Sequence, residues 1–213
     1  ADAHGAAYEA QVFTPRLSGR RAFAQIAQDH ADQPEAQVLL LQALTFCRVN
    51  EPCRMEWRHV DLEARTWTLP ATHTKNKQPH RVVLTDPAID LLRKAELRSA
   101  GRQYVFPSKR DPASHISPDL ISHWWVDKRR EAGLDDGFAT HALRRAGLTW
   151  LKEQGASKDV RDVLSNHKAP GVDGSYTAAA NMLDQMRIWS EKWAAHLVSL
   201  TAENVTQIGE VRA

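Results

Sequence analysis

Thr140-His141-Ala142-Leu143-Arg144-Arg145-Ala146-Gly147-Leu148-Thr149-Trp150-Leu151 reads as the opening of an amphipathic helix. Leu143, Gly147, Trp150 and Leu151 recur at helical spacing and form a face for the core. His141 and Arg144 stand three apart and share another face. With Thr140 as N-cap, His141 falls in the first turn, where free backbone N–H groups and the positive end of the helix dipole attract an anion. A phosphate suits that geometry. His-x-x-Arg is nevertheless a common pattern, and a solvated helix face accounts for it equally well unless companions exist elsewhere in the chain.

Outward from this helix, the 3.6-residue period dominates. Ser18 reads as the N-cap of a helix to about His30 that carries Phe23, Ile26 and Ala27, and Pro34 opens a second helix through Leu44 that should pair with it. A third opens at Asn50 to Pro52 and carries Met55 and Trp57. The period changes at Arg65: Thr66 to Leu69 and His80 to Leu84 read as strands around a turn at residues 72–77. Helices resume from Pro87 to about Ala100 and over residues 118–132, 140–154, 157–165 and 181–198. The fold class expected is mainly α with a small antiparallel β-sheet.

Composition bounds the function. The 213 residues are 42% hydrophobic, enough for one sizeable core, and 28 Lys and Arg against 26 Asp and Glu leave a net charge of only +2. Bulk charge therefore does not announce nucleic acid. Cys47 and Cys53, six apart, offer neither a disulfide framework nor a CxxC metal motif and fit a reducing, cytoplasmic setting. No apolar run reaches the roughly 20 residues that span a bilayer, and the start lacks a signal-peptide pattern. His73 with His80, and His115 with His123, come without HExxH or a carboxylate cluster, so no metal and no cofactor is expected. The seven tryptophans are read as packing groups rather than base-stacking platforms.

The companions of the His-x-x-Arg pair occur in order: Arg48 and Glu51, then Lys75 in the turn between the strands, then His141 and Arg144, His167, and Tyr176 nine residues later. This series resembles the tyrosine recombinase, or phage integrase, family. The flanking text resembles its satellite-phage and genomic-island branch: Ala43-Leu44-Thr45-Phe46-Cys47-Arg48, Leu69-Pro70-Ala71, Pro79-His80-Arg81-Val82-Val83-Leu84, Val163-Leu164-Ser165-Asn166-His167, Gly174-Ser175-Tyr176 and Trp193-Ala194-Ala195-His196-Leu197. The likeness covers roughly residues 15 to 200. Departures are Cys47 where Gly is common, Ser165 where Leu is frequent, Asn166 for Gly or Ala, and Thr177-Ala178 for Asn-Arg.

The resemblance implies a DNA breaking and rejoining catalytic domain acting at phage-like attachment sites for integration or excision. Tyr176 would be the nucleophile that forms a 3′-phosphotyrosine. Arg48 and Arg144 would clamp the phosphate with permanently charged guanidiniums, and His141 and His167 would donate hydrogen bonds or handle protons. Glu51 would orient Arg48. Lys75 resembles the general acid; Lys77 is the rival for that role, and two solvated loop lysines remain a third reading. From Arg65 to Arg81 there are four Lys or Arg and no acidic residue, so this strand-turn-strand, with Lys77 and Arg81, is expected against the DNA backbone, as is Arg145.

Residues 1–17 are expected to be a linker from a missing upstream DNA-binding domain, 18–200 the catalytic domain and 201–213 a C-terminal tail. Expected partners are double-stranded attachment-site DNA, a homotetramer on DNA that is monomeric as an isolated domain, and accessory DNA-bending or directionality proteins. The apolar face of the segment after Tyr176, comprising Met182, Leu183, Met186, Ile188, Trp189 and Leu197, would be buried in cis or on a neighbouring protomer. The competing reading is a catalytically decayed DNA-binding relative that competes for attachment sites.

Overall fold

The computed structural model describes residues 16–74, 77–167 and 176–210, in the last segment without the side chains of 176–180 and 202–210. Among them α1 (Leu17–Asp29), α2 (Pro34–Thr45) and α3 (Asn50–Cys53) precede strands β1 (Val60–Asp61), β2 (Thr66–Leu69) and β3 (His80–Val83). Helices α4 (Asp86–Ser99), α5 (Pro118–Glu131), α6 (Thr140–Glu153), α7 (Lys158–Leu164) and α8 (Tyr176–Glu210) follow. The architecture is mainly helical with one small antiparallel sheet, as the sequence indicates.

Helix α2 organises the core. Ten of its twelve residues are buried, the signature of a helix surrounded on every side rather than lying on a surface. It touches α1, α4, α5, α6 and α8. The sheet runs in the order β1-β2-β3, with Trp67 opposite Val60 on one side and Val82 on the other. Alternation along β2 buries Trp67 and Leu69 and turns Thr68 outward. β1 escaped the sequence reading because two residues cannot display a period.

Several local expectations are corrected. Ser18 lies inside α1, whose N-cap is Arg16 in extended conformation without a side-chain cap. Helix α3 stops at Cys53, so Met55 and Trp57 lie beyond it: the backbone leaves the helix to bond residues 103–105, with Val105 N–H donating to Met55 O at 2.9 Å and Trp57 N–H to Gln103 O at 3.1 Å. The N-cap of α6 is Ala139, and Thr140 is the first helical residue. Its carbonyl accepts from Gln42 Nε2 at 3.0 Å, which fixes the start of α6 against α2.

Helix α8 packs in cis on α1, α2, α6, α7 and β3. Trp193, 1% exposed, donates from Nε1 to Ala43 O at 2.8 Å. Arg187 donates to Ala64 O at 2.8 Å, and Arg65 pairs with Glu191 at 3.1 Å and with Asp86 at 2.6 Å. Met186, Trp193, Ala194, Leu197 and Leu200 form the inward stripe. Ile188, two residues round from Met186, is 47% exposed and not part of it.

Candidate active site

Arg144 is the centre of the site. Only 2% exposed, it donates from Nη1 to Phe46 O at 2.7 Å and from Nη2 to Ser165 O. Both acceptors are helix C-caps: Phe46 closes α2 in the left-handed conformation, with φ of 56°, and Ser165 closes α7. The guanidinium is thus seated on the negative ends of two helices, which holds a cation firmly while satisfying carbonyls that lack intrahelical partners. Seating it requires α6 to approach α2 closely. Gly147 permits this, since a β-carbon there would lie 2.7 Å from Phe46 Cε1 and 3.1 Å from Trp193 Cε2.

Arg48 follows two residues after Phe46. Its backbone N–H donates to Glu51 Oε2 at 2.6 Å and its Nη1 to Glu51 Oε1 at 3.2 Å, while the Glu51 side chain is 4% exposed and that of Arg48 30%. A buried carboxylate therefore anchors a guanidinium that still reaches solvent.

His167 follows α7 through a Schellman turn. His167 N–H donates to Asp162 O at 2.7 Å and Asn166 N–H to Val163 O at 2.9 Å, with Asn166 at φ of 51°. The left-handed position explains the residue type: Gly is the easiest occupant and Asn the next. The His167 ring contacts Ser165 Oγ through Nδ1 at 2.9 Å.

The electrostatics show the cluster converging. The His167 ring is held below its ordinary pKa by burial, then by Arg144 and Arg48, against a small opposing pull from Asp162. His141, though much of its surface is open, is lowered by desolvation, then by Arg145, Arg144, Arg48 and His167. Burial, then the proximity of Arg48, lowers Arg144 in turn. The structure thus brings Arg48, Glu51, His141, Arg144 and His167 together where the ends of α2, α6 and α7 meet. Imidazoles held toward the neutral form beside two guanidiniums, with Arg48 and His141 reaching solvent, can bind an oxyanion.

Lys75 lies outside the described residues. Tyr176 opens α8, and its side chain is likewise outside them. Lys77 and Arg81 are exposed on the β2–β3 hairpin, Lys77 with φ of 53°. Arg145 is half-buried, and burial lowers its proton affinity. Cys47 and Cys53 are free thiols, both buried. Among the described residues no group of three or more His, Cys, Asp and Glu is placed to hold a metal ion.

Four contributors were not legible as such in the sequence: the Phe46 carbonyl, Gln42, Ser165 and His80. His80, at the start of β3, has its pKa pushed down to about 4 by burial and by the nearby Arg144. Ser165 gave a signal as a polar residue where the resemblance has an apolar one, and Phe46 and His80 only as parts of the resembling stretches.

Known proteins resemble this chain in sequence and in fold. The model of the phage integrase family matches residues 20–182, a span that includes every candidate from Arg48 to Tyr176. Prophage integrase IntA of Escherichia coli K12 is 27% identical over 157 residues, covering 74% of this chain and 37% of the relative. Prophage integrase IntZ of the same strain is 30% identical over 173 residues, covering 81% and 41%. The chain thus spans about two fifths of these relatives' length. Among solved structures, XerA recombinase superposes with a TM-score of 0.61 at 16% identity, covering 84% of this chain and 65% of the other. A lambda integrase dimer bound to a COC′ core site gives 0.57 at 19%, covering 81% and 59%.

Proposed function

Because the chain belongs to the phage integrase family, we propose that it is the catalytic part of a site-specific recombinase that cuts and rejoins attachment-site DNA through Tyr176. The observation that carries this reading is the convergence of Arg48, Arg144, His141 and His167 at one solvent-facing junction of helix ends. The curated relatives are named as integrases, and a structural neighbour is described as bound to DNA.

The chemistry follows from the charges. In-line attack on a phosphodiester loads negative charge onto the non-bridging oxygens, which fixed guanidiniums and imidazole donors stabilise without reorganising. The Tyr176 hydroxyl oxygen forms a bond to phosphorus while the bond from phosphorus to the 5′-oxygen breaks. The phenol gives up its proton to a neighbouring base, for which a neutral His167 is suited, and the departing 5′-oxygen takes one from Lys75. The covalent phosphotyrosine keeps the bond energy, so a 5′-hydroxyl from another strand reverses the step without ATP.

In this reading residues 18–200 are the catalytic unit, 1–17 a linker and 201–213 a tail. Lys77, Arg81 and Arg145 touch the DNA backbone, and the protein works in the cytoplasm as a tetramer on DNA with accessory proteins. Incubation of the full-length protein with a nicked attachment-site substrate in EDTA should give a covalent adduct on Tyr176 with a free 5′-hydroxyl. Tyr176→Phe should bind DNA and form no adduct. An adduct that persists in that variant, or that maps to Tyr104, rejects the assignment. Unchanged DNA binding with no adduct from the unaltered protein would favour the decayed relative instead.

A further inference from the structure

We propose that Gln42 is a positioning residue: its side chain sets the start of α6 on α2 so that Arg144 and His141 meet Arg48, and the fold gives up some stability to keep it there. The consequence for strand cleavage rests on the recombinase reading, but the placement itself follows from local geometry.

Two hydrogen bonds join the same pair of helical turns and run in opposite directions. From α2, Gln42 Nε2 donates to Thr140 O at 3.0 Å; from α6, Arg144 Nη1 donates to Phe46 O at 2.7 Å. Gln42 and Phe46 are four residues apart, as are Thr140 and Arg144, so on both helices the two bonds lie about one turn from each other. A single point of contact lets a helix pivot on its neighbour, whereas two hold its rotation as well as its distance. The arginine is long and can follow a shifted carbonyl, but the glutamine grips the α6 backbone itself. His141, adjacent to the gripped residue, and Arg144, one turn on, therefore take their places from Gln42, while Arg48 takes its own from α2 by way of Phe46.

Stability gives no reason for a glutamine at this position. Thr140 is the first residue of α6, and its carbonyl has a partner in the helix ladder without the side chain. Gln42 itself is 0% exposed, and its Oε1 is buried with no donor facing it among the described residues. Turning the amide over would set Oε1 against the Thr140 oxygen, so a flip only worsens the mismatch. Leu39, Leu41, Ala43 and Leu44 around it on α2 are all buried, surroundings that suit an apolar side chain. A buried amide oxygen without a partner is destabilising, and an apolar side chain of equal length avoids it. Local rules are broken in this way where geometry is held for function.

The test is Gln42→Met in the full-length protein, which keeps length and burial and removes both polar atoms. Its urea midpoint should equal or exceed that of the unaltered protein. Single-turnover adduct formation on a nicked attachment-site substrate should nevertheless slow roughly tenfold or more with unchanged DNA affinity, the loss expected when reactive groups shift by less than about 1 Å. A glutamine that serves the fold alone gives the reverse, a lower midpoint with an unchanged rate for the folded fraction, and that result overturns the proposal. So does a variant that fails to fold. A second readout needs no cleavage: the His141 ring, held below its ordinary pKa by burial and then by Arg145, Arg144, Arg48 and His167, should titrate closer to that value by NMR in Gln42→Met, as the first turn of α6 draws away from Arg48. An unmoved His141 titration counts against the role as directly as an unmoved rate. If the unaltered protein forms no adduct at all, the recombinase reading fails, while the midpoint and the His141 titration still decide what Gln42 does.

Discussion

Gly147 on α6 faces the ring of Phe46 so closely that a β-carbon would sit 2.7 Å from Cε1, and the same Phe46 offers its carbonyl to Arg144 one helical turn earlier. The missing side chain and the placed guanidinium are therefore one feature. Phe46 is fully buried and its ring cannot swing aside. Gly147→Ala should improve helix propensity by about 1 kcal/mol yet overpack the site by about 1–3 kcal/mol. The expected outcome is a lower urea midpoint together with an adduct rate that falls more than stability alone explains, because Arg144 is pushed off its two carbonyls. An equal or higher midpoint would show that α6 yields freely.

Glu51 tests the anchoring of Arg48. Its carboxylate holds both the backbone and the guanidinium of that residue, at 2.6 and 3.2 Å. Glu51→Ala should cost about 1–3 kcal/mol, the worth of charge-assisted hydrogen bonds. It should also slow adduct formation roughly tenfold or more, whereas Glu51→Gln, which keeps one acceptor, should lose less. Parallel denaturation and single-turnover cleavage separate the two effects.

Much of this site was legible in advance because it depends on residue type and order. Arg48, His141, Arg144 and His167 stand out as an ordered set through the family resemblance, and the structure brings them together; the long helices show their period. What stayed hidden depends on backbone conformation and long-range approach. No side-chain pattern reveals that Phe46 and Asn166 adopt positive φ, or that the seat of Arg144 is made of carbonyls 98 and 21 residues away. Ser165 looked like a mere departure because its contacts, the carbonyl to Arg144 and the hydroxyl to the His167 ring, depend on the turn that ends α7. Thr140 looked like the N-cap because its type suits one, but the backbone gives that place to Ala139 and uses the Thr140 carbonyl to receive Gln42.

His80 should make stability fall in mild acid. Its folded pKa is about 4 against an ordinary 6.5, so between those values the unfolded chain binds a proton that the native one refuses. The stabilisation is complete above about pH 6.5 and is lost progressively as pH falls toward 4, on the order of 3 kcal/mol in all. His141 and His167, lowered as well, add to it in the same direction. Urea midpoints of the unaltered protein and His80→Gln, compared at pH 7 and pH 4.5, should differ in slope, with the variant less acid-sensitive. Parallel slopes would mean that His80 ionises freely in the native state.

Trp193 fastens α8 to the central helix through one buried hydrogen bond to Ala43 O at 2.8 Å, in the residue before two that lead to the left-handed cap at Phe46. Trp193→Phe removes the donor, strands a buried carbonyl and leaves a gap beside Gly147, where Trp193 Cε2 also packs. A loss of about 2–4 kcal/mol is expected from the orphaned acceptor and the cavity together. Hydrogen exchange should show α8 opening more readily than α2. Because Tyr176 opens α8, the same variant should release the helix that begins at Tyr176 from the cis position before the rest of the domain unfolds. Uniform loss of protection across both helices would contradict a separable α8.

The last prediction concerns the proton for the leaving group. Lys75 lies outside the described residues, in the chain segment between Thr74, whose hydroxyl bonds Ala71 O and Gln78 O, and the exposed Lys77. An alkoxide leaves poorly unless protonated, whereas a thiolate leaves without help. Lys75→Ala should therefore block adduct formation on ordinary DNA, by roughly 10²–10⁴-fold if it is the general acid, and spare a substrate with sulfur at the 5′-bridging position. Lys77→Ala should weaken both substrates alike if that exposed lysine only neutralises phosphate, and should steepen no difference between them. Equal losses on the two substrates for Lys75→Ala would make it a phosphate contact. A sulfur-specific rescue of Lys77→Ala instead would transfer the acid's role two residues along the hairpin.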